Sequence, residues 1–144
     1  MQTAAAYRKN IGLLDADGNR HKVGAYLAID PGNLDQLLVA MYCFTTIGIG
    51  INFPGSAMDQ FNAGQPWTPV AGATVDGGHY ICGFARRNGM WVLVTWGKEQ
   101  PASDDFLRQY NDENVVYLSQ EMLTGGKTLD GFDVEQLNAD LAAL

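Results

Sequence analysis

One stretch carries most of the chemistry this chain offers: Asp76-Gly77-Gly78-His79-Tyr80-Ile81-Cys82. A histidine that opens an apolar run straight after a glycine pair sits at a strand mouth. An imidazole titrating near its ordinary pKa of about 6.5 is suited there to act as a general base. The plainer alternative is a structural imidazole satisfied by its neighbours. Cys82 is not its nucleophile, because positions 79 and 82 differ by an odd number and so point to opposite faces of one strand. Cys43 falls in a helical pattern among apolar neighbours. Neither cysteine has the cationic or helix-start setting that activates a thiolate. Both are expected to be reduced and buried, as small hydrophobes. Asp76 either fixes the tautomer of His79 or is a solvated loop carboxylate. The spacing of His21, Cys43, His79 and Cys82 fits no zinc-site pattern. Gly125-Gly126-Lys127-Thr128 lacks the upstream glycine of a phosphate loop and reads as a turn. No metal and no cofactor is implied.

The elements that must position these residues follow from periodicity. Thr3 to Asn10 reads as a short helix, Asp15 to Asn19 as a turn, and Lys22 to Ile29 as a strand stopped by Pro31-Gly32. Asn33 with Gln36 is a capping-box variant. It opens a helix to Thr45 or Thr46, with Leu34, Leu37, Leu38, Met41 and Thr45 on one face. Ile47, Ile49, Ile51 and Phe53 alternate along a strand, leaving Gly48 and Gly50 on its other face. Bare glycines there admit a close-packed helix, or else a ligand or peptide chain. Pro54 to Val70 is loop-rich, with a helical turn over Ser56 to Phe61. Gly77 to Ala85 and Met90 to Trp96 form a hairpin around Asn88-Gly89. Ser103 caps a helix to Tyr110, its dipole favoured by Asp104 and Asp105. Val115 to Ser119 is a strand. Asp133 with Gln136 caps a last helix with Val134, Leu137 and Leu141 on one side. Trp67 and Trp91 read as core or surface-patch aromatics. The order implies an α+β fold with a mostly antiparallel sheet and flanking helices.

Composition narrows the function. The chain has 144 residues, 47% hydrophobic and 17% charged, enough for one domain with one core. Nine basic against 16 acidic residues leave a net charge of −7, without the positive field a nucleic-acid groove needs. No apolar run reaches the ~20 residues of a membrane span, and the N-terminus does not read as a secretory signal. The chain divides into a lead-in helix and strand (1–32), a core (33–119) and a C-terminal turn and helix (120–144).

The order of motifs from Leu34 to Leu118 resembles the C-terminal, histidine-bearing lobe of papain-like cysteine peptidases. The segment Ser56-Ala-Met-Asp-Gln60-Phe61-Asn-Ala-Gly64 is similar to that family's Ser-x-x-x-Gln-Phe-x-x-Gly. Gly78-His79-Tyr80 follows where the catalytic histidine heads a strand. Val94-Thr95-Trp96-Gly97 corresponds to Asn-Ser-Trp-Gly, and Ala6 to Asp15 resembles the helix exit before the lobe crossing. The wider texture is similar to papain-fold proteins of bacteria and their phages.

The resemblance implies a papain-like lobe, a partial barrel, with His79 as general base and Trp96 packed over it. Gly48, Gly50, Gln60, Gly78 and Thr95 become candidate binding residues. Two departures count against catalysis. The segment bearing the family's nucleophilic cysteine has no counterpart here. Its histidine-orienting asparagine falls at Val94, whose side chain can neither donate nor accept a hydrogen bond, while Thr95 is expected on the other face. The expectation is therefore a non-catalytic, phage-related binding or assembly protein. It would be cytoplasmic or virion-associated, with a protein partner or a second copy on the cleft face, and without nucleic acid or membrane. The alternatives are a fragment, or a trans-completed half, of an active papain-like cysteine peptidase, and an unrelated small-ligand-binding α+β domain.

Overall fold

The strictly alternating Ile47–Pro54 segment forms the strand on which the sheet is built. In the computed structural model, which describes residues 2–119 and positions 133, 135, 136, 139 and 140, the chain runs as follows. Helix α1 (Gln2–Asn10) leads into a two-stranded ribbon, β1 (Leu13–Leu14) and β2 (Arg20–His21). Then come β3 (Val23–Ile29), α2 (Leu34–Phe44), β4 (Ile47–Pro54), α3 (Gly55–Asn62), β5 (Val75–Arg87), β6 (Met90–Thr95), β7 (Lys98–Ala102), α4 (Asp104–Tyr110) and β8 (Asn111–Ser119). Six strands form one antiparallel sheet in the order β3-β8-β4-β5-β6-β7. The α+β class is as expected. The partial barrel is corrected to an open sheet, with β3 and β7 at its edges.

One face of the sheet is the core. Ile47, Ile49, Ile51 and Phe53 of β4, Ile81 of β5, Trp91 and Leu93 of β6, and Val116 of β8 are buried together with Leu34, Leu37 and Met41 of α2 and Phe106, Leu107 and Tyr110 of α4. The caps read from the sequence hold these helices. Asn33 accepts from the Gln36 N–H at 3.1 Å, and Ser103 accepts from the Phe106 N–H at 3.1 Å. Asp104 does more than favour a helix dipole. It receives two hydrogen bonds from Arg86, at 2.8 and 2.9 Å, and one from the Trp91 indole at 2.8 Å. The Arg86 guanidinium holds its carboxyl below the usual range. Trp67 and Trp91 are both fully buried, so they belong to the core.

Several elements depart from the sequence reading. Helix α2 ends at Phe44, where Thr45 takes φ +64°, and Leu38 is 38% exposed rather than on the buried stripe. Strand β5 extends from Val75 to Arg87 and β8 starts at Asn111. The ribbon β1–β2 and strand β7 were not expected. Strand β7 contains Pro101, which argues against an inner strand because it lacks an N–H. Here Pro101 lies at an edge, and its carbonyl accepts from the Trp67 N–H at 2.8 Å. Asp133 accepts from the backbone of Glu135 and Gln136, as its capping role requires. The turn at Gly125–Thr128 and the stripe of Val134, Leu137 and Leu141 lie outside the described residues.

The opposite face of the sheet answers the question of the two glycines. Helix α1 packs there beside β3, with Ala5 fully buried and the Arg8 guanidinium 4.9 Å above the Tyr117 ring. Tyr80 lays its phenol across Gly48, so what covers this glycine is a side chain of the neighbouring strand and not a helix. A Cβ at Gly48 would stand 2.6 Å from Tyr80 Cζ and closer still to its hydroxyl. Gly48→Ala is therefore expected to destabilise the fold by about 1–3 kcal/mol, as overpacking does. Added to Tyr80→Ala, it should cost far less, because the ring it meets is gone. Urea denaturation of the two single variants and the double variant measures that coupling.

Candidate functional site

The register of three strands assembles the site. On β4, Ile49 lies opposite Ile81 and Ile51 opposite His79. On β6, Val94 lies opposite Cys82, so Thr95 falls opposite Ile81 and diagonal to His79. His79, Ile81 and Thr95 therefore share the core face, while Tyr80, Cys82 and Val94 share the other. His79 Nε2 and Thr95 Oγ1 are 2.7 Å apart. The expectation that Thr95 points away from His79 is corrected. Thr95 is only 5% exposed and holds the imidazole, whereas Val94 is 42% exposed on the far face. Odd–even counting along β6 fixes which residues alternate. Only the pairing with β5, shifted by a bulge between Gly83 and Ala85, fixes which set faces His79.

Trp96 closes the site from a strained turn. Thr95 pairs with Lys98, so Trp96-Gly97 is a two-residue hairpin loop, with φ +45° and +73°. Positive φ at both positions matches the strand twist and usually calls for Asn, Asp or Gly at the first. A tryptophan there costs roughly 1–2 kcal/mol. Its indole stacks on His79, ring centroids 4.5 Å apart and planes 12° apart. It also meets the edges of Phe61 at 4.8 Å and Phe53 at 5.7 Å. Aromatic pairs contribute about 0.5–1.5 kcal/mol each, so the three contacts offset the strain. Phe53 also meets His79 edge-on at 5.4 Å, which leaves the imidazole little freedom to turn.

Gln60 does not reach His79. Its amide accepts from the Thr68 N–H at 3.1 Å and donates to the Thr68 carbonyl and hydroxyl at 3.2 and 3.0 Å. It thereby secures the loop carrying Trp67, whose indole donates to the Ala57 carbonyl at 2.8 Å and whose ring packs on Phe53 and Trp96. Gln60 is thus a support for the aromatic cluster. Asp76 makes no hydrogen bond to His79. Its carboxylate rests at the start of α3, 2.7 Å from where a Cβ on Gly55 would stand. Ser56 Oγ is buried without a hydrogen-bond partner among the described residues.

A recess of about 250 Å³ opens beside His79, with Gly50 and Gly78 among its lining residues. Its other lining residues include Tyr80, Asp112 and Glu113. The two acids come from the start of β8, more than thirty positions from His79 in sequence, and no local pattern announces them. Phe53 was legible as the last member of the alternating run. Both cysteines are free and half-buried, which corrects the expectation of full burial. Burial pushes the Cys82 thiol up, away from the thiolate, and its face is the one opposite His79. Among the described residues neither thiol hydrogen-bonds to His79, and no three His, Cys, Asp or Glu side chains converge as a metal site would require.

His79 is half-buried, and desolvation lowers its pKa below the ordinary 6.5. The neutral imidazole is thus the favoured form in the folded chain. Below pH 6.5 the unfolded chain binds the extra proton first, so stability should fall as pH drops from 6.5 through the folded value. In His79→Phe this part of the pH dependence should vanish. Urea midpoints of the two proteins between pH 7.5 and 4.5 give the comparison, with a histidine NMR titration for the pKa itself.

Comparison with protein families, with curated proteins and with solved structures returns no match.

Proposed function

We propose that this chain is a papain-like lobe that binds a protein partner without cleaving it, through the face bearing His79, Thr95 and Trp96. One observation carries this reading. The imidazole is oriented by Thr95 and shielded by Trp96, yet neither thiol of the chain engages it. Covalent catalysis needs a nucleophile within hydrogen-bond reach of its base. A base acting alone on water supplies roughly 10²–10⁴-fold. The recess that His79 helps to line instead suits recognition, with the ring of Tyr80, two glycines and an acidic rim at Asp112 and Glu113.

A second reading is favoured by a specific feature. His79 Nδ1 has no hydrogen-bond partner among the described residues, while Nε2 is taken by Thr95. A thiol brought by another chain would find that nitrogen free, as in a peptidase completed in trans.

Hydrolysis of a fluorogenic peptide library by the purified chain tests both. No turnover above buffer is expected, and no difference from His79→Ala or from Cys43→Ala/Cys82→Ala. Turnover that is lost in either variant overturns the binding reading. Turnover that appears only with a co-purified thiol-bearing chain, and disappears with His79→Ala, establishes the second.

A further inference from the structure

The basic residues of this acidic chain are unevenly placed. Arg8, Lys9, Arg20 and Lys22 are four of its nine Lys and Arg residues. They gather where α1 ends and β2 passes into β3, around two adjoining recesses of about 630 and 130 Å³ that share His21, Lys22 and Val23. Elsewhere the arginines are neutralised: Arg86 by Asp104, Arg87 by Glu99 and Arg108 by Asp105. Among the described residues no carboxylate pairs with Arg8, Lys9, Arg20 or Lys22. In the turn of the ribbon, Asp15 is already engaged by His21 at 2.9 Å and by the N–H groups of Asp17 and Asn19.

Among the described residues, the same corner has a strand whose outer edge is unpaired. Of the two sheet edges, β7 is covered by the Trp67 segment, through Trp67 N–H to the Pro101 carbonyl and Ser103 N–H to the Trp67 carbonyl. Strand β3 pairs with β8 on one side only, and among the described residues no backbone hydrogen bond reaches its outer side. Its sequence, Val-Gly-Ala-Tyr-Leu-Ala-Ile, contains neither the charge nor the proline that usually protects an edge.

We propose that the outer edge of β3 and the basic recess at its start form one docking site for an extended acidic segment of a partner protein. The segment adds as a strand beside Val23–Ile29, its main chain completing the ladder and its carboxylates lying over Lys9, Arg20 and Lys22. The proposal stands apart from the reading of His79, since β8, β4 and β5 follow β3 across the sheet before that residue is reached. A peptide is favoured over nucleic acid on two grounds. A phosphate backbone cannot satisfy an alternating row of N–H and C=O groups. The net charge of −7 also repels a long polyanion, while a short segment needs only the local field.

The test is fluorescence anisotropy of the intact chain with a labelled alternating Val–Glu decapeptide. Saturable binding that weakens with salt is expected. Lys9→Glu/Lys22→Glu, both exposed positions, should weaken it at least tenfold. A peptide N-methylated at alternate residues should lose as much. His79→Ala should bind as wild type does. The proposal is overturned by absent binding, by equal binding of the N-methylated peptide, or by indifference to the charge reversal. It is also overturned if a single-stranded oligonucleotide binds the same site more tightly than the peptide.

Discussion

The site depends on how β5 is gripped between its two neighbours. Pairing with β4 sets Ile51 against His79, and pairing with β6 sets Val94 against Cys82. A slip of one residue in either ladder would turn His79 out of the aromatic cluster or exchange Thr95 for Val94 at its side. What prevents the slip is the buried alternation on β4, where Ile47, Ile49, Ile51 and Phe53 all enter the core. At roughly 1.5–3 kcal/mol for each buried side chain, exposing this set would outweigh any single hydrogen bond at the site. The geometry of His79 is thus a consequence of hydrophobic register, with the Thr95 contact completing it.

Trp96 shows how that frame carries strain at one point. A bulky residue at positive φ is tolerated where its surroundings over-determine it. Phe53 reaches the indole from the end of β4 and Phe61 from α3, while Trp67, held by Ala57 and steadied through the Gln60–Thr68 clamp, backs the cluster. One stretch, from Phe53 to Trp67, thus fixes a side chain about thirty positions further on, and that side chain covers one imidazole. Gln60 acts at a distance through this chain of contacts, as a positioning residue.

Local signals made much of the fold legible. The caps at Asn33 and Ser103, the Asn88-Gly89 hairpin and the alternation of β4 each rest on a few consecutive residues and require no tertiary information. The same signals put His79 on a strand, although β5 begins four residues earlier at Val75, while the packing of Trp96 on it was implied only by the papain-like resemblance. They fail where a partner strand decides the outcome. Thr95 was misplaced because parity along β6 has no absolute face until β5 supplies one. Strand β7 carries none of the alternation that marks β4, and Pro101 argues against an inner strand; it is accommodated because β7 lies at the sheet edge. Gly48 announced open space, but its occupant, Tyr80, comes from the adjacent strand.

Charge divides the molecule along β8. That strand runs from Asn111, next to the acidic rim of Asp112 and Glu113, to Ser119, which lines the smaller basic recess. At about 3.3 Å per residue, the six or seven steps from that rim to Ser119 place the two regions roughly 20–23 Å apart. The Debye length at physiological salt is about 8 Å, so the negative rim barely weakens the positive corner, and each region acts through its own field. A chain of net charge −7 can therefore present a locally basic surface at one end of the sheet and an acidic recess beside His79 at the other, so that a ligand is selected by the few charges it meets rather than by the net charge of the whole.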